Sequence, residues 1–273
     1  MAIITIYQGA SGSGEEIAEA VAEVLGYGCI SREVLVEASL RYGIPETKLS
    51  EIVDKEPNWW NRFVQNLQPY RMALQAAFCE LAQDENIVYH GHLGHELLPD
   101  LPHVLKVLLT APMAARIEQI RARHKLNEAA ARRYIEELDK ARTRRLMGMF
   151  GTDWKDPSRF DLVVNLGRMS VAAAKQVIVQ TVGLADYQMT PAAQQAFANF
   201  SLMTRVHAVL VLSPEMATAT LDIKADEGNV SIAGVIPNWV SEEEVVRKVK
   251  KVGGVRSVSA DLVNSPPDLG LNN

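Results

Sequence analysis

The chain opens with a short apolar run, residues 2–7, that passes through a glycine-rich turn directly into a helical pattern. Gly9 and Gly14 in this turn have the spacing of G-x-x-x-x-G-K-[ST], a loop in which backbone N–H groups and a helix N-terminus surround an anion. The motif continues with Lys and Ser or Thr, but Glu15 and Glu16 stand there instead. The sequence therefore predicts an anion-binding turn without its usual cation.

Apolar runs alternate with helical patterns over the first 184 residues. The runs cover residues 2–7, 86–90, 104–109 and 161–165, with Gly28–Ile30 as a candidate fifth strand. Helices are predicted at 14–25, 60–82, 112–124, 127–147 and 171–182. This alternation predicts an α/β fold with a parallel sheet sandwiched by helices. The connection 31–86 is too long for a plain crossover, so we expect it to carry a substrate-facing subdomain.

The pattern changes after residue 184. A helix is predicted at 191–210, followed by strands at 219–225 and 229–235 that are joined by turn residues. Ser241 and Glu244 form a capping-box signature for a helix at 241–251, and a last strand is expected at 255–263. We therefore expect two domains, residues 1–184 and a small α+β (αββαβ) module at 190–265.

Composition limits the classes of function. The chain has 273 residues and a net charge of −5, so no overall positive field recruits nucleic acid. Cys29 and Cys79 are expected to be free thiols in a reducing compartment. No signal peptide is visible, and no apolar stretch reaches the ~18–20 residues of a membrane span. We expect a cytoplasmic protein without a transmembrane segment.

The first 184 residues resemble the cytidylate kinase-like family of P-loop nucleoside monophosphate kinases. No single motif is decisive for this resemblance. It rests on the order and spacing of several short segments. The segments are 14–18, 26–27 followed by 31–35, the strand ending at Gly91, 107–112 with Arg116, 139–142, and 154–156 before 160–162.

This resemblance implies ATP-dependent phosphoryl transfer, with Mg²⁺, to a nucleoside monophosphate such as CMP or dCMP. Main-chain amides of the turn would hold the donor phosphates; these belong to Gly9, Ala10, Ser11, Gly12, Ser13, Gly14, Glu15 and Glu16. The implied catalytic residues are Arg142, Arg116, Asp139 and, as a weaker candidate, Arg145. Asp139 would orient Arg142 or contact the acceptor. The implied acceptor-binding residues are Arg32, Gly91 and His92.

Three positions depart from the family pattern. Relatives usually carry Arg or Lys at the position of Glu15, Gly-Arg where this chain has Gly91-His92, and Asp at Ser31. A carboxylate at position 15 would repel phosphates. An alternative function is therefore an inactive nucleotide-sensing or scaffolding pseudo-kinase.

Residues 190–265 resemble a BON domain, on the segments 230–237 and 254–258. This resemblance implies association with a protein or with phospholipid, and it makes a lipid-associated structural protein a third alternative. Lys248, Lys250 and Lys251 form a basic edge that either contacts anionic lipid or is simply a solvated face.

Further groups leave alternatives open. His90, His92 and His95 bind a metal, contact the acceptor or are structural; no metal site is assigned. Residues 126–150 are either an exposed, salt-bridged helix or a mobile arginine-bearing lid. One aromatic and basic set either stacks on a base or packs in the interior: Trp59, Trp60, Arg62, Tyr70 and Arg71.

Overall fold

The larger sheet is parallel throughout, as predicted. The computed structural model describes residues 2–9, 13–54, 67–83, 86–98 and 101–265. The strands of this sheet are β1 (Ile3–Gln8), β2 (Gly28–Ile30), β3 (Ile87–His90), β4 (Val104–Thr110) and β5 (Leu162–Asn165). Their spatial order is β2-β3-β1-β4-β5. The candidate strand at 28–30 is confirmed as an edge strand beside β3.

Helices cover both faces of this sheet. One face carries α1 (Gly14–Leu25), and the other carries α2 (Glu33–Tyr42), α3 (Glu46–Asp54), α4 (Gln68–Leu81) and the short α5 (Gly94–Leu97). Alternate residues of β1 serve the two cores, because Ile4 and Ile6 pack with α1 while Ile3 and Tyr7 face the opposite side. Burial on both faces explains why β1 reads as a continuous apolar run.

A helical hairpin follows β4. It consists of α6 (Met113–His124) and α7 (Glu128–Phe150), which share a small core of their own. Helix α7 runs three residues beyond the predicted end at 147, because Met149 is buried against the main core and Gly151 then ends the helix with a positive φ of 69°. After β5, α8 (Val171–Val182) packs beside α1.

The connection between β2 and β3 is helical in its described parts, which include α2, α3 and α4. The predicted helix at 60–82 is observed as α4 from Gln68, and its first residues, 60–66, lie outside the described ranges. Buried residues of α2, α3 and α4 share the core on the same face of the sheet.

A second, three-stranded sheet lies at the C-terminal end, as predicted. Helix α9 (Pro191–Val211) precedes β6 (Thr220–Asp226) and β7 (Asn229–Ile236), and α10 (Glu242–Val249) precedes β8 (Ser257–Asn264). Strand β7 is central, antiparallel to β6 and parallel to β8. The capping box of Ser241 and Glu244 is present. Thus the predicted αββαβ order is confirmed, while the BON resemblance and the domain boundaries remain predictions.

Helix α9 contributes buried residues to three cores. Phe197 belongs to the core that α2, α3 and α4 share on one face of the larger sheet. Ala208 packs against Met72 and Ala76 of α4, whereas Val206 and Leu210 pack under the small sheet. Consequently α9 joins the C-terminal sheet to the helical layer beneath β1 and β3.

Within the described part of the chain, no helix combines the length and the apolar character that crossing a bilayer requires. Cys29 and Cys79 both carry free thiols. Burial raises the pKa of Cys79 to about 12, so its thiol is held in the unreactive protonated form.

Candidate functional site

A cleft of about 330 Å³ opens where β1 and β3 end. Ligands of parallel α/β sheets bind outside the carboxyl ends of the strands, so its position alone marks it as the candidate site. One wall is apolar and comes from the helical layer, with Leu35, Leu74 and Leu97. The opposite wall comes from the α6–α7 hairpin, where Tyr134 and Arg142 face the cleft.

The described ends of the glycine-rich turn belong to the cleft. Residues 10–12 are outside the described ranges, whereas Gly9 and Gly14 line the cleft. A Cβ on Gly14 would lie 2.1 Å from Oε1 of Gln8, so any residue larger than glycine at this position would displace the Gln8 side chain. The first N–H groups of an α-helix have no partner within the helix, and a helix start of this kind favours binding of an anion.

Two carboxylates stand at this helix start. The side chains of Glu15 and Glu16 are both exposed in the first turn of α1, and Glu15 also lines the cleft. Negative side chains near a helix N-terminus favour the isolated helix. In this position they also place negative charge beside the site where phosphates are expected.

The turn after β3 forms the next part of the cleft. The Gly91 N–H donates to the Ile6 carbonyl at 3.2 Å, which holds the end of β3 against β1. A Cβ on Gly91 would lie 2.4 Å from Oη of Tyr89, a buried ring that has little room to move. His92 follows and also lines the cleft.

Arg116 and Asp139 form a buried ion pair between α6 and α7. Nη1 of Arg116 donates to Oδ2 of Asp139 at 2.9 Å, and Nη2 donates to Oδ1 at 2.7 Å. Asp139 thus forms a bidentate bond with Arg116, while its predicted roles, orienting Arg142 or contacting the acceptor, remain predictions. This guanidinium also lies beside the glycine-rich turn, because a Cβ on Gly9 would be 3.7 Å from its Nη2.

Arg142 reaches the end of β1. Its Nη1 donates to the Gln8 carbonyl at 3.1 Å, and its Nη2 is 3.0 Å from Nε2 of His92. Arg145, one turn further along α7, is also buried. The three-residue spacing of Asp139, Arg142 and Arg145 places all three on one inward face of the helix.

Positive charge predominates among the buried groups of this face. The hairpin buries three guanidinium groups, of Arg116, Arg142 and Arg145, and one carboxylate, of Asp139. Burial lowers the pKa of Arg142, yet a guanidinium keeps its charge near neutrality. Guanidinium groups bind anions through paired N–H donors, so this arrangement favours binding of an anion in the cleft.

Two stacked aromatic rings lie beside the start of the glycine-rich turn. The Trp154 ring stacks on Tyr7 with centroids 5.3 Å apart, and its Nε1 donates to Oγ1 of Thr143 at 3.1 Å. Trp154 also touches the glycine-rich turn, since a Cβ on Gly9 would lie 3.6 Å from its ring. Sequence reasoning gave Tyr7 no role and noted Trp154 only within a family segment.

Arg32 lies at the mouth of the cleft. Its Nη2 donates to Oγ of Ser50 at 2.9 Å and lies 3.5 Å from Oε1 of Glu46. Two thirds of its side chain is exposed. Arg32 therefore offers the cleft an exposed cation, in contrast to the buried Arg142.

The three histidines near β3 have different environments. His90 lines the cleft, whereas His95 is buried between Tyr7 and Phe160, where burial lowers its pKa to about 3. In the described ranges, no three His, Cys, Asp or Glu side chains are grouped closely enough to hold a metal ion.

The aromatic and basic set of the sequence is only partly described. Trp59, Trp60 and Arg62 lie outside the described ranges. Nζ of Lys48 lies 5.1 Å above the Tyr70 ring, and Arg71 donates to the Met149 carbonyl at 3.3 Å. These two members make packing contacts within the protein.

Several known proteins are similar to this chain in sequence. The family described as "Cytidylate kinase-like family" matches residues 3–168. A cytidylate kinase of Desulfurococcus amylolyticus is 31% identical over 177 residues, which cover 63% of this chain and 89% of that protein. A cytidylate kinase of Pyrobaculum arsenaticum is 28% identical over 180 residues, covering 65% and 91%.

A solved structure has the same fold. It belongs to an uncharacterized protein from Eubacterium ventriosum, with a TM-score of 0.52 and 20% identity, and the match covers 67% of this chain and 98% of that one. At this identity the likeness concerns the fold alone. Residues after 168 lie outside the family match.

Proposed function

Because this chain belongs to the cytidylate kinase-like family, we propose that it transfers the γ-phosphoryl group of ATP to a nucleoside monophosphate, CMP or dCMP. Phosphoryl transfer requires two phosphorylated substrates to be held in line while the charge on the transferring group is neutralised. The residues around the cleft are suited to both tasks.

The single observation that carries the proposal is the arginine face, the buried guanidinium groups of Arg116, Arg142 and Arg145 on the α6–α7 hairpin. Arg142 contacts the end of β1 and Arg116 lies against Gly9, so both guanidinium groups meet the glycine-rich turn. Guanidinium groups bind phosphate oxygens through paired N–H donors. In this proposal, the turn and the start of α1 hold the donor phosphates, while Arg142 contacts the transferring group.

The outer part of the cleft suits the acceptor. Its apolar wall of Leu35, Leu74 and Leu97 offers a surface for a flat base, and Arg32 stands at its mouth with an exposed guanidinium. A cleft of about 330 Å³ is within the range typical of small-molecule sites. The acceptor phosphate would contact Arg32, whose exposed guanidinium lines the cleft.

ATP-dependent kinases use Mg²⁺, which neutralises charge on the transferring group when it is bound with the phosphates. Glu16 stands where the motif has Ser or Thr, and its exposed carboxylate at the start of α1 is an oxygen ligand of the kind that Mg²⁺ prefers. Since Mg²⁺ usually keeps several waters and binds through one or two carboxylates plus phosphates, a single protein carboxylate fits this role.

The second candidate is a catalytically inactive nucleotide sensor or scaffold that acts through the C-terminal module. Glu15 favours it, because its exposed side chain lines the cleft where the motif has its lysine. A carboxylate ~4 Å from a phosphate charge is repelled by about 1 kcal/mol in water and about 4 kcal/mol near a protein surface.

A coupled assay with ATP and either CMP or dCMP tests the kinase proposal. Wild-type turnover should exceed that of Arg142→Ala by at least about a hundredfold, since arginines that contact the transferring phosphate contribute on this order. Equal turnover of the two proteins would reject the proposal. Calorimetry with ATP and CMP then separates the alternatives, because a sensor would bind nucleotide without turnover.

For residues 190–265 we propose a BON-like domain that binds a protein or phospholipid partner, and a cytoplasmic location for the whole chain. The basic edge offers limited support for a lipid, because Lys248 is already paired with Glu215 and Ser213. Sedimentation with anionic liposomes tests the lipid partner; protein that stays in the supernatant excludes it.

A further inference from the structure

His92 lies between the cleft and the arginine face. Its Nε2 is 3.0 Å from Nη2 of Arg142, whose Nη1 donates to the Gln8 carbonyl at 3.1 Å. Two contacts from two different strand ends therefore hold one guanidinium group. Together they fix the group at the carboxyl end of β1, immediately before the glycine-rich turn.

The chemistry of this contact determines the proton position on His92. A guanidinium group has only donors, so Nε2 of His92 must accept the hydrogen bond from Arg142. The imidazole proton is therefore on Nδ1. That Nδ1 is buried and has no hydrogen-bond acceptor in the described part of the chain. Nε2 therefore has no proton to donate to a phosphate in the cleft, and the Nδ1 proton is buried.

The charges that face His92 also keep it neutral. Arg142 and Arg145 approach from α7, His90 from the end of β3 and His95 from α5, and the centroids of the Tyr7 and His92 rings are 5.8 Å apart. Burial, with a further contribution from the two arginines, lowers the pKa of His92 well below its usual value. Protonation would place a second cation 3.0 Å from Arg142 and remove its acceptor.

We infer that His92 is a positioning residue that holds Arg142 toward the glycine-rich turn through a neutral imidazole, and that it does not bind the acceptor phosphate. The inference rests on the proposed function, in which Arg142 contacts the transferring phosphate. It is an alternative to the role that the family resemblance implies for His92, which is contact with the acceptor.

Kinetics of three variants test this role. His92→Gln keeps a neutral acceptor, His92→Leu removes it, and His92→Arg adds a cation that would bind phosphate but repel Arg142. We expect His92→Gln to keep kcat within about threefold of wild type. We expect His92→Leu and His92→Arg to lose about 10- to 100-fold in kcat, since small misplacements of a catalytic group cost that much. The acceptor KM should change little in all three.

Two results would overturn the inference: His92→Arg lowers the acceptor KM without loss of kcat, or His92→Gln is as impaired as His92→Leu. Gln176→Arg is the charge control, because Gln176 is exposed on α8, away from the cleft. Thermal melts of each variant verify that it is folded.

A measurement on the wild-type protein does not depend on activity. In ¹⁵N-histidine NMR, the His92 signals are assigned by their loss in His92→Gln. We expect the Nδ1–H tautomer and a pKa well below the ordinary histidine value. An Nε2–H tautomer, or titration near the ordinary value, rejects the inference. Absence of turnover in wild type rejects the proposed function instead, so the two failures are distinguishable.

Discussion

Arg116 and Asp139 are joined by two hydrogen bonds, of 2.9 and 2.7 Å, across the α6–α7 hairpin. Arg116 lies in the first turn of α6, directly after β4, and Asp139 lies one turn before Arg142 on α7. The pair therefore fixes helix α7, which carries Arg142 and Arg145, relative to the sheet.

Asp139→Asn tests the structural weight of this ion pair. The substitution keeps the shape of the side chain but leaves Arg116 buried without its counter-charge. We expect the free energy of unfolding to fall by about 3 kcal/mol, the cost typical of breaking a buried pair. Urea denaturation measures it. Glu136→Gln, on the exposed side of the same helix, should stay within about 0.5 kcal/mol of wild type; equal effects of the two variants would contradict the prediction.

Gly91→Ala tests the close approach at the end of β3. A Cβ there would lie 2.4 Å from Oη and 2.7 Å from Cζ of the buried Tyr89 ring. Overpacking of this kind costs about 1–3 kcal/mol, and we expect a loss of stability in that range together with weaker acceptor binding.

The control for this prediction is Gly253→Ala, where a Cβ would meet nothing within 4 Å. Urea denaturation of both variants gives the comparison. In a Tyr89→Leu background, the cost of Gly91→Ala should shrink, because the ring that causes the clash is absent. An unchanged cost in that background would show that the strain lies elsewhere.

The fold could be predicted well because local patterns match the tertiary environment. Residues 2–30 read correctly as strand, helix and strand, since β1 is buried on both faces and α1 has an apolar stripe at Ile17 and Val21. The capping box at Ser241 likewise located α10. Errors at element ends, as for α7, arose where tertiary packing extends a helix beyond its local signal.

The site was less predictable because its contacts join distant parts of the chain. Spacing placed Asp139 and Arg142 on one helix face, but it gave no reason to expect that Asp139 pairs with Arg116 on another helix. The stacking of Trp154 on Tyr7 joins β1 to a segment after α7. Such pairings depend on how elements pack, which a single sequence does not display.

Buried histidines should make stability fall in acid. Burial lowers the pKa of His95 to about 3 and those of His103 and His207 to about 4, from an ordinary 6.5. Below pH 6.5 the unfolded chain binds protons that the folded protein does not, so stability declines as the pH falls from 6.5 toward 4. Each group contributes at most about 3 kcal/mol to this loss.

Urea denaturation of wild type and His207→Gln at neutral pH and near pH 4.5 measures one of these contributions. The acid-induced loss of stability should be smaller in His207→Gln by up to about 3 kcal/mol. His124→Gln, at an exposed histidine, should show the full wild-type loss. If His207→Gln also shows the full loss, His207 is protonated equally in both states and the prediction is wrong.

Glu15→Lys should distinguish a weakened kinase from a nucleotide sensor. The change restores the cation of the motif beside the glycine-rich turn, at an exposed position that lines the cleft. We expect ATP to bind about 10- to 100-fold more tightly by calorimetry, a gain of ~1.4–2.8 kcal/mol that solvent keeps modest. Raising the salt concentration should reduce the gain, because exposed charges are screened.

Glu19→Lys is the matched control, since Glu19 is exposed one turn further along α1 and changes the net charge equally. It should alter ATP affinity by less than about twofold, because the added charge is farther from the turn. If Glu15→Lys gains no more than this control, Glu15 does not face the phosphates and the objection to catalysis disappears. If Glu15→Lys creates turnover where wild type has none, the natural chain is a sensor; if it abolishes turnover, the glutamate takes part in a working site.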